Sequence, residues 1–181
     1  MKKLLLIFLF IPLVSFGQND FRKMFFGESK EVLKEKYPDV EFVSETETGV
    51  EALTHFDNVL GLSASVTYMF QNNKLIAGAY VFNSLSFRSG DDKLKDFNSV
   101  SERLNDKYEM ERTDNWYKDT WKDDPTYLGY AIGLGDVDLT ELGKKGDNIS
   151  ITHSLNQKSH VLGFLIKGGL DFFEKSFDDD I

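Results

Sequence analysis

Two stretches of this 181-residue chain alternate apolar and polar side chains on either side of a short polar break. Alternation of period two marks a strand with one buried face. In the first stretch, Val66 to Phe70 and Leu75 to Phe82 flank Gln71-Asn72-Asn73-Lys74, whose two asparagines suit the positive φ of a tight two-residue turn. In the second, Ile149 to Leu155 and His160 to Ile166 flank Asn156 to Ser159. Both predict antiparallel hairpins. Strand parity predicts that Val66, Tyr68 and Phe70 share a face with Leu75, Ala77, Ala79 and Val81. It likewise groups Ile149, Ile151, His153 and Leu155 with His160, Leu162, Phe164 and Ile166. Gly78 and Gly163 then fall on corresponding outer-face positions.

A helix signature precedes each hairpin. From Gly27 to Pro38, Ser29 can cap an N-terminus, Glu31 complements the first turn, lysines occupy the last turn, and Pro38 stops the helix. From about Asp92 to Tyr108, Leu94, Phe97, Val100, Leu104 and Tyr108 recur at helical spacing. The ends match: Leu33 to Tyr37 and Leu104 to Tyr108 share the pattern Leu-x-acid-Lys-Tyr. Helix followed by antiparallel hairpins, twice, predicts an α+β protein of two similar helix plus antiparallel-sheet units packed into one compact body. The boundaries follow: a signal peptide over 1–17, a first unit over 18–90, a second over 91–167, and an acidic, Phe-containing tail over 168–181. In that tail Leu170, Phe173 and Phe177 form an apolar helical stripe expected to pack back on the domain.

The signal peptide is read from Lys2 and Lys3, the apolar run from Leu4 to Val14, and the small residues of Ser15-Phe16-Gly17. The run is shorter than the roughly 20 apolar residues needed to span a bilayer, so cleavage before Gln18 and a periplasmic or secreted mature form are expected. Cleavage removes two lysines and no acid, taking the formal net charge from −9 to −11. The lysines are interleaved with acids rather than gathered into a patch, which argues against a nucleic-acid partner. The chain contains no cysteine, so an exported form relies on its apolar core for stability. Sixteen phenylalanines and seven tyrosines furnish large side chains for that core.

The opening Phe26-Gly27-Glu28-Ser29-Lys30-Glu31-Val32-Leu33, with its aromatic-Gly-x-Ser-x-x-x-apolar pattern, resembles the helix opening of small bacterial envelope domains of the SmpA/OmlA and beta-lactamase-inhibitor-protein type. The tandem order from Phe21 to Lys167 is similar too. The resemblance implies noncatalytic binding or assembly in the cell envelope, with a protein partner. The paired cysteines and lipid anchors of some such domains have no counterpart here.

No catalytic motif stands out. There is no G-x-S-x-G elbow, and no phosphate loop, since Gly133-Leu134-Gly135 and Gly143 to Gly146 lack its spacing and read as strand interruptions and a turn. No cofactor is implied. The alternating oxygens of Asp136 to Glu141 lack the glycine turn and distal acid of a calcium loop, and read as an exposed strand edge. Between Asp114 and Pro125, Trp116, Tyr117 and Trp121 sit among acids and amides. As aromatics in a polar stretch they are the best candidate contact surface. The competing and somewhat favoured reading has Trp116 and Trp121 close the second sheet over its helix, as tryptophan's usual burial suggests.

His153 and His160 are the remaining candidates. A turn through Asn156-Gln157 places them directly opposite one another, and a turn through Gln157-Lys158 makes them diagonal neighbours on the same face. Two imidazoles could begin a metal site, but no third ligand is evident. A structural pair whose protonation loosens the hairpin at low pH is the stronger expectation. The sequence thus favours an exported noncatalytic binding protein. A metal-dependent or His/carboxylate hydrolase and a carrier of small apolar ligands are the alternatives.

Overall fold

The computed structural model describes residues 20–82 and 88–167. The signal segment 1–17 and the tail 168–181 lie outside the described residues. No described helix is long and apolar enough to cross a membrane.

Helix α1, Lys30–Lys36, starts after Ser29 and ends at Tyr37, whose N–H donates to the Leu33 carbonyl before Pro38 intervenes. Helix α2, Gly90–Asn105, begins earlier than its apolar spacing suggested because Ser89 caps it, its Oγ accepting from the Asp92 N–H at 3.2 Å. Its apolar stripe is buried at Phe97, Val100 and Leu104. A third helix, α3, Leu128–Leu134, has no counterpart in the sequence reading and is preceded by two 3-10 turns, Asp119–Trp121 and Pro125–Tyr127. Gly133-Leu134-Gly135 is therefore not a strand interruption. It ends α3, with Gly135 at φ +75° as the left-handed cap.

Eight strands form a single antiparallel sheet: β1 Glu41–Glu45, β2 Val50–Val59, β3 Leu62–Gln71, β4 Lys74–Phe82, β5 Glu111–Trp116, β6 Val137–Lys145, β7 Ile149–Leu155 and β8 His160–Ile166. Their order is β1-β2-β3-β4-β8-β7-β6-β5, so α1 and α2 are each followed by a four-stranded meander, with α3 inserted between β5 and β6 of the second, and the last strands of the two meanders pair at the centre. The fold is mixed α+β, as expected.

Register tests the parity argument strand by strand. In β7 and β8, Ile149 faces Ile166, Ile151 faces Phe164, His153 faces Leu162 and Leu155 faces His160, which keeps the expected residues on one face. In β3 and β4 the Asn72-Asn73 turn forms with both residues at positive φ, but the register shifts between Met69 and Phe70. Leu75 remains opposite Phe70, whereas Ile76 is the extra residue of a bulge. Beyond it, Tyr68 faces Gly78 and Val66 faces Tyr80. Gly78, Tyr80 and Phe82 therefore occupy the core face, and Ala77, Ala79 and Val81 the opposite one. Gly78 and Gly163 are accordingly not equivalent: Gly78 lies opposite Tyr68 and Phe164, Gly163 opposite Thr152 and Ala79.

All three helices pack on this core face. Leu33 of α1 joins Phe21, Met24, Leu53, Val66, Tyr68, Phe70 and Leu75, and Phe97 of α2 joins Ala131, Ile132, Val137, Leu139 and Leu155. Val100 and Leu104 bridge the centre with Ala64, Phe82, Ile151 and Leu162. Phe21 explains Gly78, because a Cβ there would lie 2.2 Å from the Phe21 ring. Asp136 to Glu141 is not an exposed strand edge. These residues enter an interior strand, β6, flanked by β5 and β7, and Asp136 and Glu141 are buried.

Candidate functional site

Two places gather chemically interesting side chains. The first is buried between α2 and the sheet. The observed register puts His153 and His160 diagonally on the core face, and their Nε2 atoms are 2.8 Å apart. His153 Nδ1 is 2.8 Å from Glu141 Oε2, and the same oxygen accepts from the Ser101 hydroxyl at 2.7 Å. Phe97 stacks on the His153 ring at 4.1 Å and Phe82 lies against His160 at 4.4 Å. The result is a run of hydrogen bonds from Ser101 through Glu141 and His153 to His160, walled by aromatic rings.

Electrostatics keep both imidazoles neutral. Burial pushes the His153 pKa down by more than its bond to Glu141 raises it. Burial, aided by His153, pushes His160 down to about 3. For Glu141, burial acts upward, but hydrogen bonds from His153 and Ser101 outweigh it and hold the carboxyl below its ordinary value.

This chain is not arranged as a nucleophile and its base. The Ser101 hydroxyl donates to Glu141 rather than to an imidazole nitrogen, and the nearest one, His153 Nδ1 at 3.5 Å, is itself a donor to Glu141. The 2.8 Å between the two Nε2 atoms is an N–H···N hydrogen-bond length, whereas two nitrogens on one tetrahedral zinc stand roughly 3.3 Å apart. Among the described residues no group of three or more His, Asp or Glu side chains is placed to hold a metal ion. Glu141 and Ser101 were missed in the sequence: the first was read as an exposed edge, and the second is a serine on an amphipathic helix that nothing local distinguishes.

The second place is the surface around α3. Trp116 ends β5 opposite Val137, half-buried, and Trp121 is half-buried at the end of its 3-10 turn. Both pack their inner sides against the core of Phe97, Ile132 and Leu139. Trp121 turns its other side to Tyr127, at 5.0 Å between ring centroids, and to Tyr130, edge-on at 5.5 Å. Tyr117 is 65% exposed, Tyr130 54%, Leu134 46% and Tyr127 45%. Tyr127, Tyr130 and Leu134 follow one another at spacings of three and four, so they share one face of α3 and its entry turn. The Tyr117 hydroxyl donates to Asp138 at 2.8 Å, which raises its pKa. The two tryptophans thus close the core, and Trp121 also underlies the exposed Tyr127 and Tyr130. Tyr127, Tyr130 and Leu134 were not recognised from sequence, because their spacing becomes a surface only once α3 is known.

A further, half-buried cluster lies at the end of α1, where Arg22 pairs with Asp57 and its guanidinium stands 5.7 Å over the Tyr37 ring and 5.9 Å over Tyr80. His55 stacks on Tyr37 at 4.9 Å. Burial lowers the His55 pKa and pushes Tyr80 up to about 12.

No family model matches the chain, and neither a curated protein nor a solved structure matches it.

Proposed function

We propose that this is an exported, noncatalytic protein that binds another component of the envelope or extracellular space through the aromatic surface around Trp121. The observation that carries the reading is the group of Tyr127, Tyr130 and Leu134 on one face of α3 and its entry turn, each more than a third exposed, with both tyrosines in ring contact with Trp121. Contiguous exposed aromatics mark interaction sites, because they bury much area at small entropic cost. Export rests on the charged, apolar and small-residue pattern from Lys2 to Gly17.

The strand order supports two similar helix and sheet units, a reading in line with the envelope-domain resemblance. On that reading, the second unit departs from the first at one place. β1 and β2 are joined by the short turn Thr46 to Gly49, whereas residues 117–136 separate β5 from β6. That insertion carries Trp121, Tyr127, Tyr130 and Leu134. A long insertion on a regular sheet is where binding residues concentrate. The buried chain of Ser101, Glu141, His153 and His160 is better explained as core structure than as hydrolytic machinery, since its hydroxyl donates to the carboxylate rather than to an imidazole and aromatic rings wall it in.

The test is capture of partners from the envelope by the mature protein beginning at Gln18, compared with Tyr127→Ser and Tyr130→Ser. Both variants should lose a partner that the native protein retains. As surface changes they should shift Tm by no more than about 2 °C. Undiminished capture by both would refute this surface as the binding site.

A further inference from the structure

Resting on the binding role proposed above, we infer that the α3 surface takes a lysine- or arginine-bearing segment of a partner protein. Its cations would lie against the exposed tyrosine rings, and its charge would be met by Asp123, Asp124 and Asp138. Two independent observations converge on this chemistry.

The first is charge. Residues 114–138 hold six acidic side chains against two lysines. Both lysines are engaged: Lys118 pairs with buried Asp136 at 2.6 Å, and Lys122 with Asp119 at 3.5 Å. Asp114 is met by Arg112 at 2.7 Å. Among the described residues no ion pair joins Asp123, Asp124 or Asp138 to a cation. Asp123 and Asp124 lie between Trp121 and Tyr127 in the chain, and Asp138 is bonded to Tyr117, so the unmatched negative charge borders the rings. Such a field draws cations and repels polyanions and anionic lipid.

The second is the form of the surface. Exposed phenol faces attract a guanidinium or ammonium as well as apolar stems, and the long side chains of arginine and lysine offer both. The surface is also held rigid from below. α3 crosses the start of α2 so closely that a Cβ on Gly90 would lie 1.7 Å from the Gly129 carbonyl oxygen. Asp136, at the far end of the insertion, accepts from the Tyr117 N–H at 2.9 Å. A surface fixed in this way loses little freedom on binding.

The experiment uses the whole mature protein and three short synthetic peptides: arginine alternating with glycine, glutamate alternating with glycine, and leucine alternating with serine. Binding is followed by tryptophan fluorescence and by the indole N–H signals of Trp116 and Trp121. The arginine peptide should give a saturable response that weakens with salt, and the glutamate peptide none. Tyr130→Ser should weaken binding about fivefold, whereas Tyr130→Phe, which keeps the ring, should retain it. Asp123→Asn combined with Asp124→Asn should weaken it by a similar factor. A saturable, salt-insensitive response to the leucine peptide alone would overturn the cationic partner and leave the binding surface standing. So would self-association in sedimentation that Tyr130→Ser abolishes, since the occupant would then be a second copy. Absence of any peptide response, together with unchanged envelope capture by the tyrosine variants, would remove both the inference and the reading beneath it.

Discussion

Glu141, His153, His160 and Ser101 share a buried space, and their hydrogen bonds fix where the protons sit. Glu141 Oε2 accepts from both the Ser101 hydroxyl and His153, so His153 carries its proton on Nδ1. With His153 neutral, its Nε2 is an acceptor, and His160 must donate from Nε2. His160 Nδ1 is then a buried acceptor without a partner. A proton added to either ring turns a satisfied contact into a donor facing a donor, or leaves a buried N–H unpaired, which explains in geometry why both pKa values are depressed. Below the unfolded-state pKa of about 6.5 the unfolded chain binds protons that the folded imidazoles refuse, so stability falls as pH drops from about 6.5 toward 3. Glu141, held low, adds to the loss as pH falls through its folded pKa. We expect His160→Gln, whose amide can still donate to His153 but cannot titrate, to flatten the pH dependence between about 6 and 4 by roughly 1.4 kcal/mol per pH unit. Urea melts across that range measure it, and a slope equal to that of the native protein would show that His160 is not the group responsible. The histidine pair was legible in the sequence because parity alone groups it. Its carboxylate was not, because nothing in Asp136 to Glu141 reveals that another strand, β5, covers the edge.

At the scale of elements, alternation was a sound guide wherever the ladder ran unbroken and misled where it did not. β7 and β8 keep the expected faces. In β4 one inserted residue, Ile76, reverses every side chain beyond it, since a slip of one exchanges faces. Ala77-Gly78-Ala79 could not disclose this, because alanine and glycine fit either face. The compensating fact lies far away in sequence, where Phe21 fills the place that a side chain on residue 78 would take. α3 was missed for a related reason. Gly129, Gly133 and Gly135 look like breakers, yet Gly129 permits its backbone to approach α2, since a Cβ there would lie 2.8 Å from the Asp91 Cα. We therefore expect Gly90→Ala to force the helices apart and destabilise the protein by about 1 to 3 kcal/mol, as overpacking does. It should also change the fluorescence of Trp121, which contacts Tyr130 on α3. An alanine variant with native Tm and an unaltered emission spectrum would mean that this crossing is looser than its geometry states.

For the whole molecule, the question is whether the two meanders are one folding unit or two that merely touch. Their seam is a continuous ladder in which Ala77 to Val81 of β4 pair with Val161 to Leu165 of β8, so the halves share one sheet. The N-terminal segment crosses the same seam. Phe21 contacts Tyr68 and Tyr80 in the first meander and Phe164 in the second, at centroid distances of 5.4, 5.0 and 5.6 Å. The Asp20 carbonyl accepts from Lys145 of β6 at 3.1 Å. Removing the Phe21 ring should therefore weaken both halves together. A buried Phe→Ala change costs about 3 to 5 kcal/mol, which for a domain of this size lowers Tm by roughly 10 °C. In Phe21→Ala we expect one calorimetric transition, with measured and van't Hoff enthalpies equal. Hydrogen exchange should show amides in β2 and β3 losing protection in step with those in β6 and β7. If β6 and β7 kept native protection while β2 and β3 lost theirs, the halves would be separate folding units, and the ladder between β4 and β8 would be a docking contact rather than part of one core.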